Sequence, residues 1–372
     1  MTINTTTLSA GTSLEVLHSG WRAQTTGGLT ASWMLHGKPG VGKSQIVQQL
    51  ADQIGARLFD VRLTTIEPQD LRGLPYYDHD SRKTIWYRPE DLPDDPENPA
   101  ILFLDELTAA SPYLQPTVYG LLQERRVGQH RLPASVMVIA AGNTVTDGAI
   151  AYEMGTALSD RLIHLHLEAD ARDWIENYAS PKGLAPAVTA FLRARPDLLD
   201  TTETSLRQGE TIACTPRAWE RTSDIVQAIA DPRARQVMIS GTLGAAVAAE
   251  FAVIAQEIEA TVDIETLLQT RDAARFEMFP TTLNALNATV FGLVGAADHD
   301  TMPRVISTMA QIGQLARHRP EPILASLPLS ELCALGFEIL MKKALNAGLE
   351  DAFAASDAYA RYAADRQAAG LD

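Results

Sequence analysis

The chain is poor in cysteine, poor in cationic charge and without a long apolar run. Cys214 and Cys333 are the only cysteines among 372 residues and lie far apart, which argues against a disulfide frame or a thiolate metal cluster and fits a reducing, cytoplasmic setting. Lys plus Arg number 31 against 46 Asp plus Glu, a net charge of −15, so a general polyanion-binding surface would have to be built against the field of the whole protein. Neither a helix-turn-helix nor a zinc motif is evident, and nucleic acid is accordingly not an expected partner. The first residues carry no basic flank and no apolar block, so no secretory signal is expected. The most apolar stretch, Leu243 to Ile258, contains Glu250 and Glu257 and is shorter than the roughly 20 residues a bilayer demands. Its apolar positions run all round an alanine-rich helix, which predicts a helix buried among others and no membrane span. Glycine and proline, at 24 and 20, stay far below a low-complexity content, and 46% hydrophobic with 21% charged residues is a globular composition. At this length about two or three domains are expected.

What is present begins with alternation. Short β-type runs at Ser32 to His36, Leu58 to Leu63, Ile101 to Leu104, Val136 to Ala140 and Leu162 to Leu167 alternate with helical stretches, the habit of an open parallel sheet covered on both faces. Ile101-Leu102-Phe103-Leu104 is apolar on both alternating faces and predicts a central strand. Ile46, Val47, Leu50, Ala51 and Ile54 recur at helical spacing and stop at Gly55. From about Ala169 onward the strand signal fades into alanine-rich helical patterns interrupted by prolines. No charge run or Gly/Ser linker marks a further boundary, which is placed near residue 262.

Gly37-Lys38-Pro39-Gly40-Val41-Gly42-Lys43-Ser44 follows the first of these strands and opens the helix, the pattern GxxxxGK[ST] in its required context. The glycines let backbone amides turn inward as an anion nest, the helix directs its positive end at the same point, Lys43 reaches the outer phosphates and Ser44 offers a hydroxyl to Mg²⁺. Asp105 and Glu106 follow the central strand at its carboxyl end, where ligands of open α/β sheets bind. Asp105 would hold the Mg²⁺ shell, and Glu106 would orient and polarise a water. Taken alone, such a pair would better be read as ending a strand and capping a helix. The loop by itself does not choose between transfer to a substrate, as in small-molecule kinases, and transfer to water. Asn143 ends another apolar strand, from which it could contact the γ-phosphate or act as a turn former. Arg161 follows Leu158-Ser159-Asp160. Thr215-Pro216-Arg217 reads as a helix cap, a first-turn proline and an arginine near the amino end of a helix.

In order, GKPGVGKS, ILFLDE, AAGN, LSDR and TPRAWE resemble the Walker A, Walker B, sensor 1, arginine-finger and sensor 2 elements of AAA+ ATPases. More narrowly, the stretch from Leu63 to Gly73, and Ala109-Ala110-Ser111-Pro112 followed by Leu121-Leu122-Gln123-Glu124-Arg125, resemble the MoxR-type branch. The resemblance covers about residues 30 to 262 and implies an AAA+ P-loop NTPase core, a parallel sheet between helices, over residues 1–168. A helical lid over 169–262 would follow, then a helical extension over 263–372. It implies ATP and Mg²⁺ as cofactors, with Gly37, Pro39, Gly40, Val41, Gly42, Lys43 and Ser44 around the phosphates and Ser44 and Asp105 at the metal. Glu106 would activate water, Asn143 would be the sensor, Arg217 the lid arginine, and Arg161 would act on ATP held by the next subunit of a hexameric ring. Family members commonly work with a partner protein bearing a von Willebrand A domain, which implies an ATP-driven, chaperone-like remodeller. The alternatives are a nucleic-acid motor or loader with the same core, and a nucleotide-switched scaffold with little hydrolysis.

The resemblance also implies a hairpin over Pro75 to Arg88, here with Tyr76, Tyr77, Trp86 and Tyr87 in place of the commoner glycine-phenylalanine form. Alternating aromatics serve either to grip a protein segment or to pack the hairpin, and packing is the expected use. Arg125, Arg126 and Arg131 form a basic patch, expected as a solvated face rather than a second contact between subunits. His164 and His166 share one strand face without a third ligand in reach by sequence, the expectation of a packed strand rather than a metal site. Cys214 is expected as a small buried residue.

Overall fold

The computed structural model describes residues 4–143 and 159–368, so Leu158, the first residue of the LSDR motif, lies outside the described residues. The chain divides into two compact units, residues 1–169 and 170–372.

The first unit is a sheet between helices. Its strands are β1 (Thr7–Leu8), β2 (Ser32–His36), β3 (Arg57–Arg62), β6 (Ala100–Asp105), β9 (Val136–Gly142) and β10 (Leu162–Leu167), with two hairpins, β4 (Pro75–Asp78) with β5 (Lys83–Trp86) and β7 (Arg126–Val127) with β8 (His130–Arg131). The helices are α1 (Ala10–Thr25), α2 (Lys43–Ile54), the short α3 (Pro68–Arg72) and α4 (Gln115–Glu124). The six-stranded sheet runs β1-β10-β2-β9-β6-β3, parallel at every described pairing. All five strands read from the sequence are there, displaced by no more than two residues at any end. The sixth, β1, is an edge pair of residues too short to leave a periodic signal.

Side-chain alternation sends the sheet's apolar residues into two layers. On one face Met34, Leu102, Leu104, Val138 and Ala140 meet Val118, Leu121 and Leu122 of α4. On the other, Trp33, Leu35, Ile101, Phe103, Ile139 and Ala141 meet Leu17 and Trp21 of α1 and Ile46, Val47 and Leu50 of α2. Burial from both sides is why the central strands read as unbroken apolar runs, and it leaves their carboxyl ends as the place where polar side chains gather. Helix α2 ends at Gly55, whose N–H meets the carbonyls of Ala51 and Asp52.

The second unit is helical among its described residues. Its main helices are Pro186–Ala194, Pro216–Ala228, Pro232–Leu243, Ala245–Thr261, Leu283–Gly295, Met302–Ile312 and Leu329–Ala347. Residues 243–258 do not form the single all-buried helix expected. Gly244, at φ 85°, separates two helices, and on the second only one stripe, Ala248, Phe251, Ala255 and Ile258, is buried while Val253 is 71% exposed. Alanine made the sequence pattern look uniform because it is apolar enough to fit either side. Phe251 closes an aromatic cluster with Phe191 and Trp219. Cys214 and Cys333 are both buried.

One surface reading is qualified by the structure and another is corrected. On the β4–β5 hairpin the expected packing is present but incomplete: Tyr76 meets Tyr87 with ring centroids 5.5 Å apart and Trp86 lies under the guanidinium of Arg72 at 4.2 Å, yet Tyr76, Tyr77 and Tyr87 remain 48%, 66% and 62% exposed. Arg125 is no solvated cation: it caps α4 in left-handed conformation, its side chain donates to the carbonyls of Pro133 and Val136, and burial lowers its pKa.

Candidate nucleotide site at the carboxyl rim of the sheet

The phosphate loop leaves β2 at His36 and enters α2 at Lys43. Two glycines fix its path. Gly42, at φ 109°, stands at the helix start in a conformation that β-carbon residues avoid, and a Cβ on Gly37, at φ 155°, would come within 2.7 Å of the Leu167 carbonyl oxygen. The amino end of α2, with its partial positive charge, thereby faces the rim.

Lys43 is buried beneath this loop. Its Nζ donates to the carbonyl oxygens of Gly37 at 2.6 Å and Lys38 at 3.0 Å, and to Asn143 Oδ1 at 2.9 Å. The loop lysine and the amide at the end of β9, 100 positions apart in sequence, are thus in direct contact. One residue on, Ser44 Oγ donates to Asp105 Oδ2 at 3.3 Å. A hydroxyl and a carboxylate oxygen at that separation are the hard donors that Mg²⁺ takes, together with water and phosphate oxygens, so the residues fit a Mg-nucleotide.

Strand β6 ends on an abrupt change of backbone. Asp105 Oδ1 accepts the N–H of Glu106 at 2.8 Å, and Glu106 itself is left-handed, with φ 60° and ψ 34°. Adjacent residues on a strand already diverge, and this turn takes the Glu106 carboxylate to the end of β3. There Thr64 Oγ1 donates to Glu106 Oε2, and Arg62 Nε stands 3.9 Å from Oε1. Thr64 was not singled out from the sequence; the signal was a hydroxyl pair, Thr64-Thr65, directly after a strand that ends on the same rim.

Thr108 is a second residue that sequence reasoning missed. Its Oγ1 donates to the Asn143 carbonyl at 3.0 Å and accepts the Asn143 N–H at 3.1 Å, so one buried hydroxyl holds both backbone groups of the residue that meets Lys43. Gly37, Gly42, Lys43, Ser44, Asp105, Glu106 and Asn143 therefore sit on one rim, with Pro39, Gly40 and Val41 in the connecting loop.

Arg161 is exposed in the turn before β10 and its Nη1 donates to Gln123 Oε1 on α4. Arg217 belongs to the second unit, exposed in the first turn of helix Pro216–Ala228, where Thr215 Oγ1 accepts the Ala218 N–H at 3.1 Å as the expected cap.

Residues 32–162 match the AAA domain, dynein-related subfamily. The matched segment runs from the start of β2 to the start of β10, so it includes the phosphate loop, Asp105, Glu106, Asn143 and Arg161 and leaves out Arg217. Over 115 residues the chain is 33% identical to the ATPase family gene 2 protein homolog B of Mus musculus, a match spanning 31% of this chain and 13% of that protein. Among solved structures, a point mutant of RuvB from Thermotoga maritima is similar at 13% identity over 79% of this chain and 84% of its own, with TM-score 0.38. NtrX from Brucella abortus, solved with ADP, is similar at 16% identity over 90% of this chain and 70% of its own, with TM-score 0.37. With the parallel sheet and the helical region that follows it, the AAA domain gives the chain an AAA+ fold. No described helix is long and apolar enough to cross a membrane.

Proposed function

We propose that the chain hydrolyses ATP with Mg²⁺ at the carboxyl rim of the sheet, as a subunit of a MoxR-type ring that remodels or activates a partner protein. The observation that carries this reading is the convergence of two contacts from adjacent residues of α2, Lys43 with Asn143 at 2.9 Å and Ser44 with Asp105 at 3.3 Å, with Glu106 following Asp105 at the same strand end. In this proposal Lys43 and the amides from Gly37 to Ser44 bind and orient the triphosphate. Bound Mg²⁺, held by Ser44 and Asp105, supplies neutralisation of charge on the phosphate oxygens. Glu106 accepts hydrogen bonds from a water at its carboxylate and aligns it for attack, a role that requires its release from Thr64. Asn143, fixed by Thr108, holds the same water or the γ-phosphate. Arg161 acts on the nucleotide of the neighbouring subunit, and Arg217 is the lid arginine of residues 169–262, followed by the extension over 263–372. The −15 net charge favours a protein client over nucleic acid, and a partner with a von Willebrand A domain is the one the resemblance suggests.

The test is a pair of measurements. Glu106→Gln retains ATP and loses turnover by about 10² to 10⁴-fold. Arg161→Ala and Lys43→Ala subunits, each nearly inactive, recover turnover when mixed, because some interfaces then combine an intact loop with an intact arginine. Full turnover by dilute, verified monomers would remove the contribution of the neighbour.

A further inference from the structure

His36 is the last residue of β2 and directly precedes the phosphate loop; His164 lies on the neighbouring β10, and parallel pairing places both on one sheet face. Their rings meet edge to edge: His36 Nε2 and His164 Nδ1 are 2.7 Å apart, in planes tilted by 15° with centroids separated by 5.0 Å. The other nitrogen of His164, Nε2, lies 2.8 Å from the Ser159 carbonyl oxygen and 3.1 Å from Ser159 Oγ.

These partners assign the tautomers. A carbonyl oxygen only accepts, so His164 Nε2 carries hydrogen; in the neutral ring its Nδ1 then accepts, and His36 Nε2 donates. Burial above all, with the repulsion of the nearby Lys43 cation, lowers the pKa of His36 to about 3, which keeps that ring neutral near pH 7. The result is a directed chain from the root of the phosphate loop, through β10, to the residue two before Arg161. The same root touches β10 again where Gly37 closes on Leu167. On the loop side His36 is joined to Gly37 only through the backbone, and the Gly37 carbonyl accepts from Lys43 Nζ.

We infer that His164 is a positioning residue: through His36 and Ser159 it sets the turn bearing Arg161 according to the state of the phosphate loop in the same subunit. Nucleotide in one site then adjusts the arginine offered to the next. This rests on the proposed action of Arg161 across the interface, and the experiment separates the two.

Gln can replace the imidazole in kind, its Oε1 accepting from His36 and its Nε2 donating to Ser159, whereas Leu fills the space and does neither. His164→Leu is expected to bind ATP within about 2-fold of wild type and to lose turnover at least about 10-fold, with His164→Gln restoring most of it. Mixed at equal amounts with Glu106→Gln, which keeps its loop and its ATP, His164→Leu is expected to recover as Arg161→Ala does in the same mixture, since random assembly gives about a quarter of sites an intact Glu106 facing a properly set arginine. Wild-type turnover in His164→Leu overturns the proposal, as does a silent His164→Leu mixture beside an active Arg161→Ala mixture, which would confine the effect to its own site. Should the Arg161→Ala mixture itself stay silent, the action across the interface falls, and hydrogen exchange decides the link alone. Adding adenylyl imidodiphosphate with Mg²⁺ is expected to change protection at residues 159–161 in wild type and not in His164→Leu. A change in both, or in neither, overturns it.

Discussion

Lys43 and Lys343 make the same kind of contact in the two units for opposite physical reasons. Lys43 Nζ donates to the carbonyls of Gly37 and Lys38 at the amino end of α2, and Lys343 Nζ donates to the carbonyls of Val294 and Gly295 at 2.7 and 3.0 Å, at the carboxyl end of helix Leu283–Gly295. A cation at a helix carboxyl end is favoured by the helix dipole and satisfies carbonyls that the helix leaves unpaired. A cation at an amino end adds like charge to like, so Lys43 stands where its own fold gains least from it. Lys343 stabilises its own helix end; in the proposed function Lys43 serves a bound phosphate instead. Burial lowers the pKa of Lys343 against the opposing pull of Asp298.

The sharpest break of this contrast is a matched pair of variants. Lys43→Met is expected to abolish measurable ATP turnover while leaving the denaturant midpoint unchanged or slightly higher. Lys343→Met is expected to lower stability by about 1 to 3 kcal/mol with turnover per folded site unchanged. Equal losses of stability in urea titrations of the two would dissolve the distinction.

A second test uses pH. The folded-state pKa of His36 is about 3 against 6.5 for the free group, so its contribution is present above about pH 6.5 and is lost as pH falls toward 3, where the unfolded chain alone takes up the proton. His36→Leu is expected to flatten the rise of stability with pH between 4 and 6 by up to about 1.4 kcal/mol per pH unit. A difference of zero in that slope would show that His36 titrates normally.

The smallest effect is expected at Thr64. Thr64→Val keeps the shape and removes the hydroxyl that occupies Glu106, so turnover should change by only about 2- to 10-fold, with a melting temperature close to wild type. An effect as large as that of Glu106→Gln would make Thr64 part of the water-activating machinery rather than its restraint.

What could be read from the sequence was what has a local period or a fixed spacing. The strands from Ser32 to Leu167 were legible because burial on both faces leaves continuous apolar runs, and the phosphate loop because the geometry of an anion nest dictates glycine positions. The restraints on the site were not. Thr64 meets Glu106 across 42 positions, Thr108 meets Asn143 across 35, and His36 meets His164 across 128. Each joins neighbouring strand ends whose adjacency depends on strand order, which no local pattern encodes. On the β4–β5 hairpin alternation foretold the Tyr76–Tyr87 contact but not the exposure of the tyrosines, because it reports which side chains share a face, not whether anything covers it.

The left-handed backbone at Glu106 carries a further consequence. Residues with a β-carbon adopt that region at a cost of about 1 kcal/mol or more, and glycine would rest there without it. A chain chosen only for durability would place glycine at this corner and melt later. If Glu106 acts as proposed, the molecule tolerates a standing local weakness in exchange for chemistry, and efforts to harden this protein should leave that corner alone.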